Sequence, residues 1–209
     1  FLNTGEAGAT AGIYVTGAPG LRIIGNKILG FQQGIHCFVS VNTSSFTIVG
    51  NSIENQATNC IVFEQGVAGR TLGSVVVAGN EIANTAAQGI QIATTGTWME
   101  NVSISGNTIA NVTTAILLVG GNKIIIVGNQ ITGGTDGINV GTGATNVYIG
   151  PNSIIGVAGS IYAGAMTTPT LLSLTPTWTN AQMPASPNGT LVYCTNCTIA
   201  NPCAGGGTG

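Results

Sequence analysis

Charge is what this sequence has least of. Lysine and arginine number 4, and aspartate and glutamate 6, in 209 residues. Charged side chains are therefore 5% of the chain, where roughly 25% is ordinary for a soluble domain. A formal net charge of −2 leaves no basic face of the kind a nucleic-acid binder needs. Aspartate occurs once, at Asp136, and histidine once, at His36. Calcium needs clustered acidic oxygens and zinc a set of His, Cys or carboxylate ligands, so no metal and no cofactor is predicted. Mean hydropathy is nevertheless +0.42. No apolar run approaches the ~18 residues of a membrane span, and no stretch has helical periodicity. The apolar residues alternate instead.

What is abundant is glycine, 33 residues of it, and a repeat. The stretch Val102-Ser103-Ile104-Ser105-Gly106-Asn107-Thr108-Ile109 recurs as near-copies along most of the chain. Its Gly-Asn core stands at Gly25-Asn26, Gly50-Asn51, Gly79-Asn80, Gly106-Asn107 and Gly128-Asn129, with an altered copy at Gly150-Pro151-Asn152. The asparagines are 25, 29, 27, 22 and 23 residues apart, a period that means solenoids or propellers. Before each Asn lies an alternating pair such as Leu21/Ile23, Val102/Ile104 or Val147/Ile149. Two residues after it comes Ile28, Ile53, Ile82, Ile109, Ile131 or Ile154. A third apolar column is read at Ile13, Ile35, Ile61, Ile90, Ile116, Ile138 and Ile161. Three short strands per repeat make one turn of a coil, and a propeller blade would need roughly 40 to 50 residues. Parallel rungs stacked about 4.8 Å apart would bring Asn26, Asn51, Asn80, Asn107, Asn129 and Asn152 together as a structural ladder.

The repeat resembles the right-handed parallel β-helix proteins of the pectate-lyase superfamily, over about residues 3 to 165. That superfamily includes polysaccharide lyases, glycoside hydrolases, bacterial surface proteins and bacteriophage tailspikes. The resemblance implies an all-β fold: a right-handed, three-sided parallel β-helix of about six to seven rungs. It also implies that function resides in carboxylates, basic residues and aromatics on the outer face or in long corner loops, because the repeat itself records only how a rung is built. The domain expected at 1–165 is followed by a Pro-rich extended strap at 166–187 and a Cys-containing segment at 188–209. That last segment is similar to small modules at the ends of bacterial and phage fibre proteins, and it reads as truncated at Gly209. Its Cys194, Cys197 and Cys203 leave one thiol over, and disulfides there would imply an extracellular setting. The chain's start, at Phe1 and inside a rung, reads as that of an excised or processed piece.

Rung corners differ in length, and two are long. Residues 64–74 and 94–101 connect the third strand of one rung to the first strand of the next, at the same corner of successive rungs. That placement gathers Glu64, Arg70, Trp98 and Glu100, an aromatic with flanking polar groups, as the candidate polysaccharide-binding site; no catalytic residue is assigned. Long loops also collect polar side chains simply because they are solvated. His36 projects outward with no second His or carboxylate in its column, which argues against a metal site or a catalytic pair. Cys37 and Cys60 lie at different offsets and are predicted to be free.

The outward positions Ile24, Val49, Ala78, Ser105 and Val127 form a largely apolar column. Small β-formers favour strands in any context, but a lateral partner explains the column better, and a homo-oligomer, a trimer, is predicted. The favoured function is a β-helix segment of an extracellular fibre, phage tail fibre, tailspike or surface adhesin, structural and binding cell-surface polysaccharide. The alternative is a polysaccharide lyase or glycoside hydrolase.

Overall fold

The computed structural model describes residues 10–17 and 19–164. The strap at 166–187 and the Cys-containing segment at 188–209 lie outside the described residues. Fifteen strands, every pairing parallel, make a solenoid of about six turns with no helix among the described residues. Among the described residues no helix is therefore long and apolar enough to cross a membrane. In chain order the strands are β1 (Ala11–Thr16), β2 (Leu21–Ile24), β3 (Lys27–Leu29), β4 (Gln33–Val39), β5 (Phe46–Val49), β6 (Ser52–Glu54), β7 (Ile61–Gln65) and β8 (Leu72–Ala78). They continue with β9 (Glu81–Ile92), β10 (Met99–Ser105), β11 (Thr108–Val127), β12 (Gln130–Thr132), β13 (Asp136–Ile149), β14 (Ser153–Ile155) and β15 (Tyr162–Gly164).

Alternation of β-branched and small residues sends every second side chain inward, and identical registers turn those side chains into columns. The first side stacks β2, β5, β8, β10 and the last parts of β11 and β13; its inward columns run Leu21, Phe46, Val75, Val102, Ile124, Val147 and Ile23, Ile48, Val77, Ile104, Ile126, Ile149. The second side stacks β3, β6, the starts of β9 and β11, β12 and β14 around Ile28, Ile53, Ile82, Ile109, Ile131 and Ile154. On the third side, β1, β4, β7, the end of β9, the middle of β11 and the start of β13 align Ile13, Ile35, Ile61, Ile90, Ile116 and Ile138. One expectation fails here: the residue in register with Ile138 is Tyr162, not Ile161. Tyr162 is buried at 2% exposure, so its ring faces inward rather than out as the simple offset implied.

Each turn of the coil has three corners, and each corner has its own left-handed residue. Glycines Gly25, Gly50, Gly79, Gly106 and Gly128 (φ 60 to 69°) precede the asparagine ladder. Gly30, Asn55, Asn84, Asn111, Gly133 and Gly156 (φ 54 to 77°) follow the second side. Ser74, Asn101, Lys123 and Asn146 (φ 51 to 55°) precede the first. Glycine and asparagine tolerate this region without the Cβ clash that burdens other residues; Lys123 does not have that tolerance.

The predicted ladder is present. Asn80, Asn107 and Asn129 donate from Nδ2 to the Oδ1 of the next asparagine, Asn107, Asn129 and Asn152, each at 2.9 Å. The same three acceptors take the backbone N–H groups at 3.0, 3.0 and 2.9 Å. Each Nδ2 also reaches a carbonyl of the preceding rung, as Asn107 does with Val77 O at 3.0 Å. Asn107 has no exposed surface, so the column satisfies the polar groups that a buried corner would otherwise orphan.

Cys37 and Cys60 are free and buried, as expected. Cys60 occupies a column of small residues one step before the third-side isoleucines, with Gly34, Gly89, Ala115 and Gly137. A Cβ at Gly34 would sit 2.4 Å from Ile53 Cγ2 and 2.5 Å from the Cys60 carbonyl oxygen. The column stays small because the second-side isoleucines pack into it.

Candidate functional site

The two long corners do meet. Residues between β7 and β8 and between β9 and β10 line one shallow, open groove of about 270 Å³, bounded by Gln65, Arg70, Thr71, Thr95, Thr97 and Trp98. The loops are tied by hydrogen bonds: Gln65 N–H donates to the Thr94 side-chain Oγ1 at 2.9 Å and Leu72 N–H to the Trp98 carbonyl at 2.8 Å. Gln65 Nε2 in turn holds the Arg70 carbonyl at 2.6 Å.

Of the four residues expected to gather here, Arg70 and Trp98 line the groove and the two glutamates do not. Glu64 falls within β7 and Glu100 within β10 rather than in the loops. Glu100 Oε1 accepts from Asn122 Nδ2 at 3.2 Å, and Asn122 Oδ1 accepts from Thr145 Oγ1 and Asn146 Nδ2 at 3.1 and 2.7 Å. That is a polar ladder up the first-side corner. Trp98 is 5% exposed and belongs to the hydrophobic core, with Nε1 donating to the Thr94 carbonyl at 2.9 Å. A ring so covered offers a ligand almost no face to stack on. Arg70 is the exposed group of the set.

A second cluster lies on the outer surface of β1, β4 and β7, and the sequence reading missed it. His36 Nε2 is 3.1 Å from Glu64 Oε2. His36 is paired with Val62 and Glu64 with Phe38, so the two are diagonal neighbours on the same face of adjacent rungs. Searching for a carboxylate only in the histidine's own column overlooked that diagonal, which long side chains span readily. The rings of Tyr14 and Phe38 flank the imidazole edge-on, with centroids 5.0 and 6.1 Å away at 82° and 87°. Tyr14 and Phe38 are themselves nearly parallel, 6.3 Å apart at 28°. The signal in the sequence is split between two outward offsets: Tyr14 shares one with His36, and Phe38 stands two residues further on, in the column of Glu64.

The outer face of the first side is different again. Its two outward columns are Arg22, Thr47, Val76, Ser103, Ile125, Tyr148 and Ile24, Val49, Ala78, Ser105, Val127. Arg22 is the single charge among eleven positions, and Ile24, Val76 and Ile125 are 50%, 39% and 46% exposed. The second side, by contrast, puts Lys27, Ser52, Glu81, Thr108, Gln130 and Ser153 outward. Among the described residues no three His, Cys, Asp or Glu side chains come together as metal ligands would.

Stacked parallel rungs, an asparagine ladder and side chains of different chemistry on each outer face define a parallel β-helix, a class whose members serve structural, binding or enzymatic roles. In agreement, residues 3–101 match the family model of the right handed beta helix region, and the same rung geometry continues to residue 164. No curated protein and no solved structure matches the chain.

Proposed function

We propose that this chain is the β-helix segment of an extracellular fibre, tail fibre, tailspike or surface adhesin, associating laterally with copies of itself as a trimer and meeting cell-surface polysaccharide along its sides. The observation that carries this reading is the apolar outer face of the first side. It is six strands wide and almost uncharged, and isolated soluble chains rarely leave such a surface to water. A neighbouring copy would cover Ile24, Val76 and Ile125, while the corner at Arg70 and the face at Tyr14 stay open to ligand. The alternative of a lyase or hydrolase would need Glu64 and Glu100 to act on one sugar bond. Each is bonded elsewhere, to His36 and Asn122, and neither lines the groove.

Light scattering on a size-exclusion column tests the assembly. The native chain is expected at three times its 20.8 kDa mass. Val76→Lys and Ile125→Lys place a charge at exposed positions that the folded chain tolerates alone, and should return it to 20.8 kDa with the same circular dichroism. A native monomer would refute the lateral reading.

A further inference from the structure

We infer that the outer face of β1, β4 and β7 is a binding site for uncharged glycan, built from Tyr14, Phe38, His36 and Glu64, and separate from the Arg70 groove. The inference rests on the reading of this chain as a glycan binder and specifies the site and the charge class of the sugar.

Three features of the cluster support a ligand role. Tyr14 is 54% exposed, a large aromatic surface left in water beside residues that could have covered it. The site is also held in shape. Phe38 lies over Gly66, where a Cβ would come within 2.1 Å of the ring, and His36, with only 13% of its side chain exposed, is wedged between the two rings. Lastly, Glu64 keeps 45% of its side chain exposed and has acceptor lone pairs beyond the one facing His36 Nε2.

The chemistry of that set selects the ligand. An aromatic face attracts the weakly positive C–H groups on one side of a pyranose ring, and a fixed carboxylate accepts from its hydroxyls. A purely aliphatic partner would bury Glu64 without compensation. An acidic sugar would meet the Glu64 carboxylate with only His36, already turned to that carboxylate at 3.1 Å, to oppose it: the outward positions Tyr14, His36, Val62, Gln91 and Thr16, Phe38, Glu64, Ala93 hold no lysine or arginine. Uronates and sulfated or phosphorylated sugars are therefore disfavoured, and a neutral chain lying across the rungs fits.

The test uses the full chain on an array of neutral, uronate-bearing and sulfated oligosaccharides, with Tyr14→Ala, Tyr14→Phe, Glu64→Gln and Gln130→Ala variants. Neutral members should bind with little dependence on salt. Tyr14→Ala should weaken them about tenfold or more, Glu64→Gln should weaken them less, Tyr14→Phe, which keeps the aromatic face, should retain most of the binding, and Gln130→Ala, on the outward face of the second side, should leave it unchanged. An unchanged thermal midpoint shows that Tyr14→Ala is folded. Neutral binding that survives Tyr14→Ala overturns the site. Binding of acidic members alone overturns the charge selection while leaving the chain a glycan binder. No binding to any member overturns both readings.

Discussion

Removing one asparagine from the middle of the ladder should cost far more than removing one from its end. Asn107 Oδ1 accepts both the backbone N–H of Asn80, at 3.0 Å, and its Nδ2, at 2.9 Å. Its own Nδ2 serves Val77 O and Asn129 Oδ1 at 3.0 and 2.9 Å. In Asn107→Ala, two buried donors on Asn80 lose that acceptor and the Val77 carbonyl loses a donor. At about 1–3 kcal/mol for each buried group left unsatisfied, and with partial relaxation, the loss is about 3–5 kcal/mol. Asn26 is partly exposed and acts here only as donor, to Asn51 Oδ1 and the Ile24 carbonyl at 3.1 and 3.3 Å. With its backbone N–H still reaching Asn51 Oδ1 at 2.9 Å, Asn26→Ala should cost about 0.5–1 kcal/mol. Urea unfolding followed by circular dichroism should show the midpoint lowered by more than ~1 M for Asn107→Ala. Amide exchange should show the Asn80 N–H losing its protection. Equal losses for the two variants, or an Asn80 amide as protected as before, would refute the ladder reasoning.

Three further outcomes follow from the same geometry. Lys123 holds a left-handed φ of 55°, so Lys123→Gly or Lys123→Asn should stabilise by about 0.5–1 kcal/mol, seen as a raised thermal midpoint. Trp98→Ala should lower stability by about 3–5 kcal/mol rather than abolish binding in a folded protein, because the ring is core at 5% exposure; an unchanged thermal midpoint would contradict this. Burial pushes the Cys60 thiol up to about 12 from 9.0, and raises Cys37 further still. The folded chain thus keeps protons that the unfolded chain releases near 9.0. Stability should be fully present below that value and fall as pH rises through and above it, and neither of these thiols should react with a thiol reagent until the solenoid unfolds.

Much of the fold could be read from the sequence because a solenoid writes its geometry as a period. The spacing of Gly-Asn copies located the ladder, and the isoleucine columns located three sides, since stacked rungs demand the same residue type at the same offset. Tyr162 escaped that logic: one residue of slack between β14 and β15 moved the register, and a period cannot report a slipped corner. The site was less legible. Sequence distance placed Glu64 and Glu100 in loops, but strand pairing extended β7 and β10 to include them, and hydrogen bonds to His36 and Asn122 then directed each elsewhere. Trp98 looked available because a long loop carried it, whereas burial depends on how that loop folds back over the rung. The Tyr14 cluster is diagonal across rungs, so a column-by-column comparison could not reveal it.

The most direct measurement is hydroxyl-radical footprinting of the native protein, read residue by residue against Ile125→Lys. If the first side is an interface and the third side a free binding face, Ile24 and Val76 will be protected in the native protein and labelled in the variant, while Tyr14 is labelled equally in both. Ile24 and Val76 labelled as strongly in the native protein as in the variant would contradict the division of the solenoid into a covered side and an open one.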